Sequence, residues 1–247
     1  MQLSTIAVVT SCLASCMAGP ANFTLRRREE DGCMPWKEDF RNGMGMFIGE
    51  GQVGVDNNQM VMKISLGNTP NPTTGVIMGY GAKVTSKNTI LYGTTVARIK
   101  SSRVGGVVNA FVIMSPQKDE IDWEWVGKDE SSSQTNFYVK GIIDYTKGQY
   151  IPNSFNTHEG FHDYGINWTP ESITWTIDGA PVRTITRSAN GGSFPDTPSN
   201  IYFSLWDGGS NAVGTRDWAG GLINWQDPEI LRNGYMSAVV ESVTYTC

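Results

Sequence analysis

The sequence predicts an all-β fold of two packed sheets, a sandwich or barrel, in one large domain. Three observations lead to this prediction. Short runs of alternating apolar and polar residues recur along the chain, turn residues separate them, and long helical periodicity is absent. The 247 residues include 28 glycines, and aromatic residues make up 11%. This composition is typical of a compact, turn-rich β protein, and the length suits one large β domain.

Charge and metal-ligand content argue against several function classes. The formal net charge of −5 gives no reason to expect nucleic acid or an anionic membrane as a partner. The chain has two histidines and no cysteine pair at zinc spacing, which argues against a transition-metal site. We therefore expect neither a metal nor a cofactor.

The first 18 residues have the pattern of a secretory signal peptide. Residues 3–18 carry no charge, and Cys16-Met17-Ala18 is a small-x-small cleavage pattern. No Lys or Arg precedes the apolar run. A membrane anchor is the alternative, although the run is shorter than the roughly 20 residues that a span requires. We expect a secreted protein, extracellular or in a cell wall, with a flexible tail at residues 19–32 and one domain at residues 33–247.

Cysteines and sequons agree with secretion. Removal of the signal would leave Cys33 and Cys247, an even pair in an oxidising compartment. We expect them to form a disulfide that adds about 3–5 kcal/mol of stability, with two unpaired thiols as the alternative. Asn22 and Asn167 each begin an N-glycosylation sequon.

Short strands follow one another along the chain, each bounded by turn residues. The predicted strands cover residues 59–64, 75–82, 91–99, 106–114, 119–125, 135–140, 162–168, 173–177, 182–186, 201–206 and 238–245. Residues 67–72 are predicted to form a loop. Asp178-Gly179 lies between two predicted strands and is a strong signal of a tight hairpin. No helix longer than a turn or two is expected.

One predicted strand carries a row of acids. Glu120, Asp122 and Glu124 alternate with an isoleucine and two tryptophans, so one face carries carboxylates and the other can be buried. Like charges on one face do not stabilise a strand, which indicates that the row serves chemistry. Paired carboxylates cleave glycosidic bonds, and glutamates at i and i+4 can lean together over a sugar. A solvated strand face and a calcium site are the alternatives.

This row resembles the E-x-D-x-E signature of glycoside hydrolase family 16. Further motifs in order resemble those of fungal Crh proteins, which are cell-wall transglycosylases that join chitin to β-glucan. They are Gln134-Thr135-Asn136, Lys140-Gly141, Phe161-His162-x-Tyr164, Ile177-Asp178-Gly179, Val182-Arg183-Thr184, Phe194-Pro195-x-Thr197-Pro198 and Gly214-Thr215-x-x-Trp218-Ala219-Gly220-Gly221. The resemblance runs from about residue 90 to the C terminus. It implies a β-jelly roll of two bent antiparallel sheets with a concave substrate cleft.

The resemblance also assigns roles to the acids. Glu120 would be the nucleophile that attacks the anomeric carbon. Glu124 would be the general acid and then the general base, and Asp122 would hold and tune the nucleophile. Hydrolysis and transglycosylation share the first step, and they differ in whether water or a sugar hydroxyl accepts the glycosyl group.

Polar and aromatic residues near the acids are the candidates for substrate binding. By resemblance, the tryptophans would stack on sugar rings and the polar residues would contact the donor sugar. The candidates are Gln134, Asn136, Tyr138, Lys140, Trp206 and Trp218, with Tyr80 and Tyr92 as weaker ones. Core packing is the alternative for the two tryptophans. His162 is expected to be structural.

The sequence thus predicts a secreted fungal cell-wall enzyme that cleaves chitin or β-glucan and transfers it to a glucan or chitin acceptor. A simple endo-hydrolase with water as acceptor is one alternative, and a non-catalytic sugar-binding jelly roll is another. We expect a monomer. Because no apolar tail follows the predicted domain, we also expect a soluble secreted or wall-associated form without a membrane span, with truncation of a longer chain as the alternative.

Overall fold

The computed structural model describes residues 33–247. The predicted signal peptide, the predicted tail and the Asn22 sequon lie outside the described residues. Within the described range there are sixteen β-strands, two short α-helices and a 3-10 helix at Tyr145–Lys147. The strands are β1 (Trp36–Glu38), β2 (Phe47–Gly51), β3 (Val53–Asp56), β4 (Gln59–Pro70), β5 (Ile77–Tyr80), β6 (Ala82–Ser86), β7 (Gly93–Lys100), β8 (Val107–Met114), β9 (Glu120–Val126), β10 (Ser132–Tyr138), β11 (Gln149–Pro152), β12 (His162–Trp168), β13 (Ser172–Ile177), β14 (Ala180–Thr186), β15 (Asn200–Asp207) and β16 (Met236–Thr246). The helices are α1 (Val213–Ala219) and α2 (Pro228–Asn233).

The strands form two antiparallel sheets. The first has nine strands in the order β14-β13-β12-β7-β16-β4-β3, with β1 beside β16 and β5 beside β4. The second has seven strands in the order β11-β10-β9-β8-β15-β6-β2. This is the predicted jelly-roll sandwich. The strand with the acids, β9, is the third strand from one edge of the seven-stranded sheet.

Aromatic side chains fill the core between the sheets. Trp123, Trp125, Trp168, Trp175 and Tyr164 are all at most 1% exposed. Each indole N–H finds an acceptor, as buried tryptophans usually require. For the two tryptophans on β9, the acceptors are the Gly165 carbonyl and the Ser133 hydroxyl, each at 3.0 Å. The core therefore fixes β9 from its apolar face.

The predicted hairpin is present, and its turn has the expected geometry. Asp178 and Gly179 connect β13 to β14 with φ of 49° and 80°. Positive φ at both central residues is the requirement of a type I′ turn, which matches the twist of the flanking strands.

Two predictions near residue 75 were wrong in detail. The predicted loop at residues 67–72 begins inside β4, because β4 continues to Pro70 and pairs with β5 there. The predicted strand at residues 75–82 is two strands, β5 and β6, which belong to different sheets. Gly81 lies at the crossing, and a Cβ there would come within 2.1 Å of the Leu205 carbonyl oxygen. The close backbone approach is possible only for glycine.

Cys33 and Cys247 are disulfide-bonded, as predicted. Among the residues that the structure describes, no helix is long and apolar enough to cross a membrane.

Candidate active site

Strand β9 presents its two faces to very different surroundings. Ile121, Trp123 and Trp125 are at most 1% exposed and face the core. The backbone of the strand is also held from behind, since the Asp122 carbonyl accepts a hydrogen bond of 3.0 Å from the indole of Trp175. The three carboxylates therefore lie on the face directed away from the core, which we call the acid face.

Polar residues of β10 lie directly opposite the acids. In the antiparallel register, Glu124 pairs with Gln134, Asp122 with Asn136, and Glu120 with Tyr138. On the other side the partners from β8 are small or apolar: Ala110, Val112 and Met114. Directly opposed residues in an antiparallel pair share one face, so the candidates from β10 border the acid row.

Burial and mutual repulsion shift the acids toward their neutral forms. Burial, followed by the charge of Glu120, raises the pKa of Glu124 to about 7. Burial also raises the pKa of Asp122 well above its ordinary value, and the charges of both glutamates add to this. The pKa of Glu120 is raised by burial, but a hydrogen bond from Asp122 and the charge of Lys118 partly offset that effect. The interaction between the two carboxyls thus raises the pKa of Asp122 and lowers that of Glu120, so Asp122 is the more readily protonated of the pair.

Asp119 directly precedes the row and forms hydrogen bonds with two loops, the one after β10 and the one before β15. Its carboxylate is 1% exposed and accepts hydrogen bonds from the Lys140 ammonium at 2.9 Å, the Asp196 amide at 3.0 Å and the Thr197 hydroxyl at 2.5 Å. Burial by itself would raise the pKa of Asp119, but these donors outweigh it and hold the pKa below its ordinary value. The network fixes the chain immediately before Glu120.

A tryptophan pair borders the Glu124 end of the row. The rings of Trp206 on β15 and Trp218 on α1 lie 6.2 Å apart, both partly buried against Val108, Val126 and Ala219. The Trp218 indole donates to the Gln134 amide oxygen at 2.8 Å. This bond fixes the orientation of the Gln134 amide, whose nitrogen is a buried donor without a hydrogen bond in the described part of the chain.

The remaining candidates differ in their surroundings. Asn136 donates to the Tyr138 hydroxyl at 2.8 Å, so these two residues form a unit beside the acids. Lys140 follows β10 and pairs with Asp119 and Asp196, each at 2.9 Å, so its ammonium already has two carboxylate partners.

Other residues that the sequence singled out lie outside the acid row. His162 contacts Asp178 at 2.8 Å and stacks on Phe155 with ring centroids 3.4 Å apart. Tyr92 packs edge-on against the buried Trp168, whereas Tyr80 is 58% exposed on β5. The side chain of Asn167, the second sequon, is exposed on β12.

Several residues that the structure brings to the site were not among those predicted from the sequence. Asp119 directly precedes the acid motif, and its charge was the feature of the sequence that could have marked it as part of the site. Tyr145 lies in the connection from β10 to β11, and Tyr150 lies on β11. Both side chains are more than half exposed. No periodic signal marked that connection, because β11 has only four residues.

Comparison with known sequences gives a consistent family match. The profile described as "Glycosyl hydrolases family 16" matches residues 41–226. "Crh-like protein UTR2" of Candida albicans is 42% identical over 185 residues, which are 72% of this chain and 38% of that protein. "Probable glycosidase CRR1" of Saccharomyces cerevisiae is 39% identical over 186 residues, which are 72% of this chain and 43% of that protein. This chain thus spans about two fifths of the length of these relatives.

Comparison with solved structures shows the same fold. The "Crh5 transglycosylase in complex with NAG" has a TM-score of 0.73 and 30% identity, over 86% of this chain and 87% of that chain. A Bacillus licheniformis β-glucanase has a TM-score of 0.69 at 22% identity, over 86% of this chain and 98% of that one, a likeness of fold alone.

Proposed function

This chain belongs to glycosyl hydrolases family 16, and from that premise we propose that it is a retaining transglycosylase of β-linked polysaccharide. It cleaves chitin or β-glucan and transfers the released glycosyl group to a glucan or chitin acceptor. We further propose that it acts outside the cell, at a fungal cell wall, in line with its similarity to Crh-like proteins.

The observation that carries the proposal is the row of three carboxyls on one face of β9, where burial and mutual repulsion raise their pKa values unequally. Glu124, with a pKa raised to about 7, is about half protonated at neutral pH and mostly protonated below it. Glu120 receives a hydrogen bond from Asp122, which favours its anionic form. One proton donor and one anionic nucleophile on the same strand face meet the requirements of double displacement.

In the first step, the Glu120 carboxylate attacks the anomeric carbon as the glycosidic C–O bond breaks. The proton of Glu124 passes to the leaving sugar oxygen, and a glycosyl ester forms on Glu120. The ester carries no charge on Glu120. Because that charge helped to raise the pKa of Glu124, the pKa of Glu124 falls once the ester forms.

In the second step, Glu124 is therefore a base. It takes the proton of an acceptor hydroxyl, the oxygen attacks the anomeric carbon, and the bond to Glu120 breaks. Transfer requires that a sugar occupies the site in preference to water. Relatives named transglycosylase or glycosidase support this chemistry, and hydrolysis by the same site is the second candidate.

The experiment is an incubation of purified protein with chitin oligosaccharides, with and without fluorescent laminarin-type acceptors, analysed by product mass. Labelled hybrid products are the expected result. Shortened oligosaccharides without hybrids would mean a hydrolase. No change of any β-linked substrate would overturn the enzymatic proposal and favour a sugar-binding module. The Glu120→Gln variant is the control for contaminating activity.

A further inference from the structure

A cavity lies on the side of the seven-stranded sheet that is opposite to the acid face. Thr135 on β10 pairs with the buried Trp123 of β9 and with Gln149 of β11. Directly opposed residues share one face, so Gln149 lies on the core-facing side of the sheet. It lines a cavity of about 300 Å³ at the edge of the sandwich, where β11 and β14 are the last strands of the two sheets. This cavity is therefore separate from the catalytic cleft.

The lining of this space, which we call the edge cavity, is positively charged. Two of the lining residues are cations, and none of them is acidic. A volume of this size is at the lower end of small-molecule sites, which occupy about 300–1,000 Å³. The edge cavity therefore suits a small anion. Its polar lining residues are Thr146, Lys147, Gln149, Arg183 and Asn190, and Phe137 and Ile185 add apolar surface.

Arg183 is a buried cation with unused hydrogen-bond donors. It is 8% exposed, and a guanidinium has five N–H donors. Arg183 donates three hydrogen bonds, two to Thr135 and one to the Lys147 carbonyl. Its Nε is a buried donor that has no acceptor within the described part of the chain. A buried donor of a charged group is costly to leave unpaired, so this one indicates an acceptor that a ligand supplies.

No carboxylate among the described residues pairs with Arg183. Its partners are neutral oxygens and the ring of Trp175, whose centroid lies 4.6 Å from the guanidinium carbon. The side chain of Arg98 is 39% exposed, yet it pairs with both Asp163 and Glu241. The more buried arginine thus has the less compensated charge. An anion in the edge cavity would offset the cost of burying that charge.

A second cation lines the same space from the other sheet. Lys147 lies in the connection from β10 to β11, and its ammonium is 5.0 Å from the Phe137 ring centroid. The nearest carboxylate is that of Asp144 at 3.7 Å, which is too far for a hydrogen bond. Asp144 does not line the edge cavity. The Lys147 ammonium therefore keeps donors for another acceptor.

We propose that the edge cavity binds a phosphate group, held by Arg183 and Lys147. The oxygens of a phosphate accept charge-assisted hydrogen bonds from a guanidinium and an ammonium at the same time. The source is free phosphate or a small phosphorylated sugar, since both present the same group. No carboxylate of β9 takes part, so the inference does not depend on the proposed transglycosylase function.

Calorimetric titration of the purified protein with inorganic phosphate, glucose 6-phosphate and glucose tests the site. We expect both phosphates to bind and glucose not to bind. Stronger binding of glucose 6-phosphate would identify a phosphorylated sugar as the source, and stronger binding of inorganic phosphate would identify the free ion. A failure of both phosphates to bind at millimolar concentration would overturn the inference. Binding of glucose as tight as that of glucose 6-phosphate would also overturn it.

A matched pair of lysines tests which cation is used. Lys147→Gln should weaken phosphate binding about fivefold or more, because a charged donor is lost. Lys100→Gln is the control, because Lys100 is also half-buried and lies 5.5 Å from the ring centroid of Phe161, but does not line the edge cavity. It should bind phosphate like wild type. Equal losses of affinity in the two variants would contradict the site.

Two further measurements test where the phosphate lies. Arg183→Lys keeps the charge but loses the planar donors, so it should also weaken binding about fivefold or more in protein that thermal unfolding shows to be folded. Saturation of Glu120→Gln with chitin oligosaccharide should leave its phosphate affinity unchanged, because the edge cavity is on the other side of the sheet. Competition between the two ligands would place the phosphate in the cleft and overturn the inference.

Discussion

Glu124 combines burial with a neighbouring negative charge, and both disfavour its anionic form. Burial is the larger cause, and Glu120 adds repulsion. Asp122 has the same two causes, with two charged neighbours, and its pKa is raised well above its ordinary value. For Glu120, the interaction with Asp122 and the charge of Lys118 partly offset the effect of burial on its pKa. At the residue scale, the unequal pKa shifts along one strand thus favour the proposed roles of Glu120 as nucleophile and Glu124 as acid.

The raised pKa of Glu124 predicts an alkaline limit to activity. The first step needs Glu124 protonated, so kcat/KM should fall as pH rises through about 7. A pH–rate profile with an oligosaccharide donor measures this. An aryl glycoside with a good leaving group needs no proton from Glu124 and should lose the alkaline decline. A decline that persists with the aryl glycoside would assign it to another group.

Isosteric amides test the roles of the three acids. Glu120→Gln should abolish turnover, and Glu124→Gln should lower it by about 10²–10⁴-fold, the usual contribution of a general acid. Asp122→Asn should slow turnover less, because the role proposed for Asp122 is to hold and tune Glu120 rather than to bond to the sugar. Product mass and thermal unfolding check both activity and fold. A near wild-type rate in either Gln variant would contradict the assignment.

At the element scale, the elements with strong alternation were predictable and the short ones were not. The acid strand β9 was correctly predicted because its residues alternate without interruption. Four short strands were missed, β1, β2, β3 and β11, and only Ala82 of β6 was included in a predicted strand, since three to five residues give too little periodicity. Strands β5 and β6 merged in the prediction because the sequence does not mark which sheet a strand joins. The acid row could thus be predicted, but the edge strand β11 beside β10 could not.

Asp119 links β9 to the end of β10 and to the loop at Asp196. We expect Asp119→Asn to lower the free energy of unfolding by about 1–3 kcal/mol, because a buried charged acceptor is lost. Since the pKa of Asp119 is lowered on folding, its stabilisation is present above the ordinary value of 3.8 and is lost as pH falls below it. Denaturant unfolding at pH 7 and at pH 3 measures the difference.

The control for Asp119 is Asp39→Asn. The Asp39 side chain is 41% exposed and pairs with Arg41 at 3.3 Å on the surface. Exposed pairs contribute about 0–1 kcal/mol, so this variant should be close to wild type at both pH values. Equal losses of unfolding free energy in Asp119→Asn and Asp39→Asn would mean that the Asp119 network contributes no more than an exposed ion pair.

At the scale of the whole molecule, one arginine joins the two sheets through the core. Arg183 on β14 of the nine-stranded sheet donates to the Thr135 carbonyl at 2.8 Å and to its hydroxyl at 2.7 Å. Thr135 lies on β10 of the seven-stranded sheet, between Gln134 and Asn136. Burial lowers the pKa of Arg183 to about 10, which still leaves it charged at neutral pH. The fold and the candidate acids could be predicted from sequence, but this connection could not, because tertiary packing alone brings the two strands together.

Replacement of Arg183 by lysine should destabilise the fold although the charge is kept. Lysine has no planar fork to reach the Thr135 carbonyl and the Lys147 carbonyl together, so a buried acceptor loses its donor. We expect Arg183→Lys to lower the free energy of unfolding by about 1–3 kcal/mol, measured by denaturant unfolding. Arg41→Lys, at a side chain that is 74% exposed, should change it by less than about 0.5 kcal/mol. An unchanged free energy of unfolding in Arg183→Lys would mean that the planar guanidinium contributes nothing to the packing of the two sheets.

The separation of the buried apolar face of β9 from its acid face has a consequence for how the protein can evolve and for how it can be applied. The tryptophans behind the strand hold the architecture, and none of their hydrogen bonds involves a carboxylate side chain. Catalysis can therefore be lost by substitution of the acids while the sheet stays intact, which gives lineages a short route from enzyme to lectin. The same change can be made in the laboratory, where a fluorescently labelled, inactivated variant would stain the polysaccharide that we propose as the substrate.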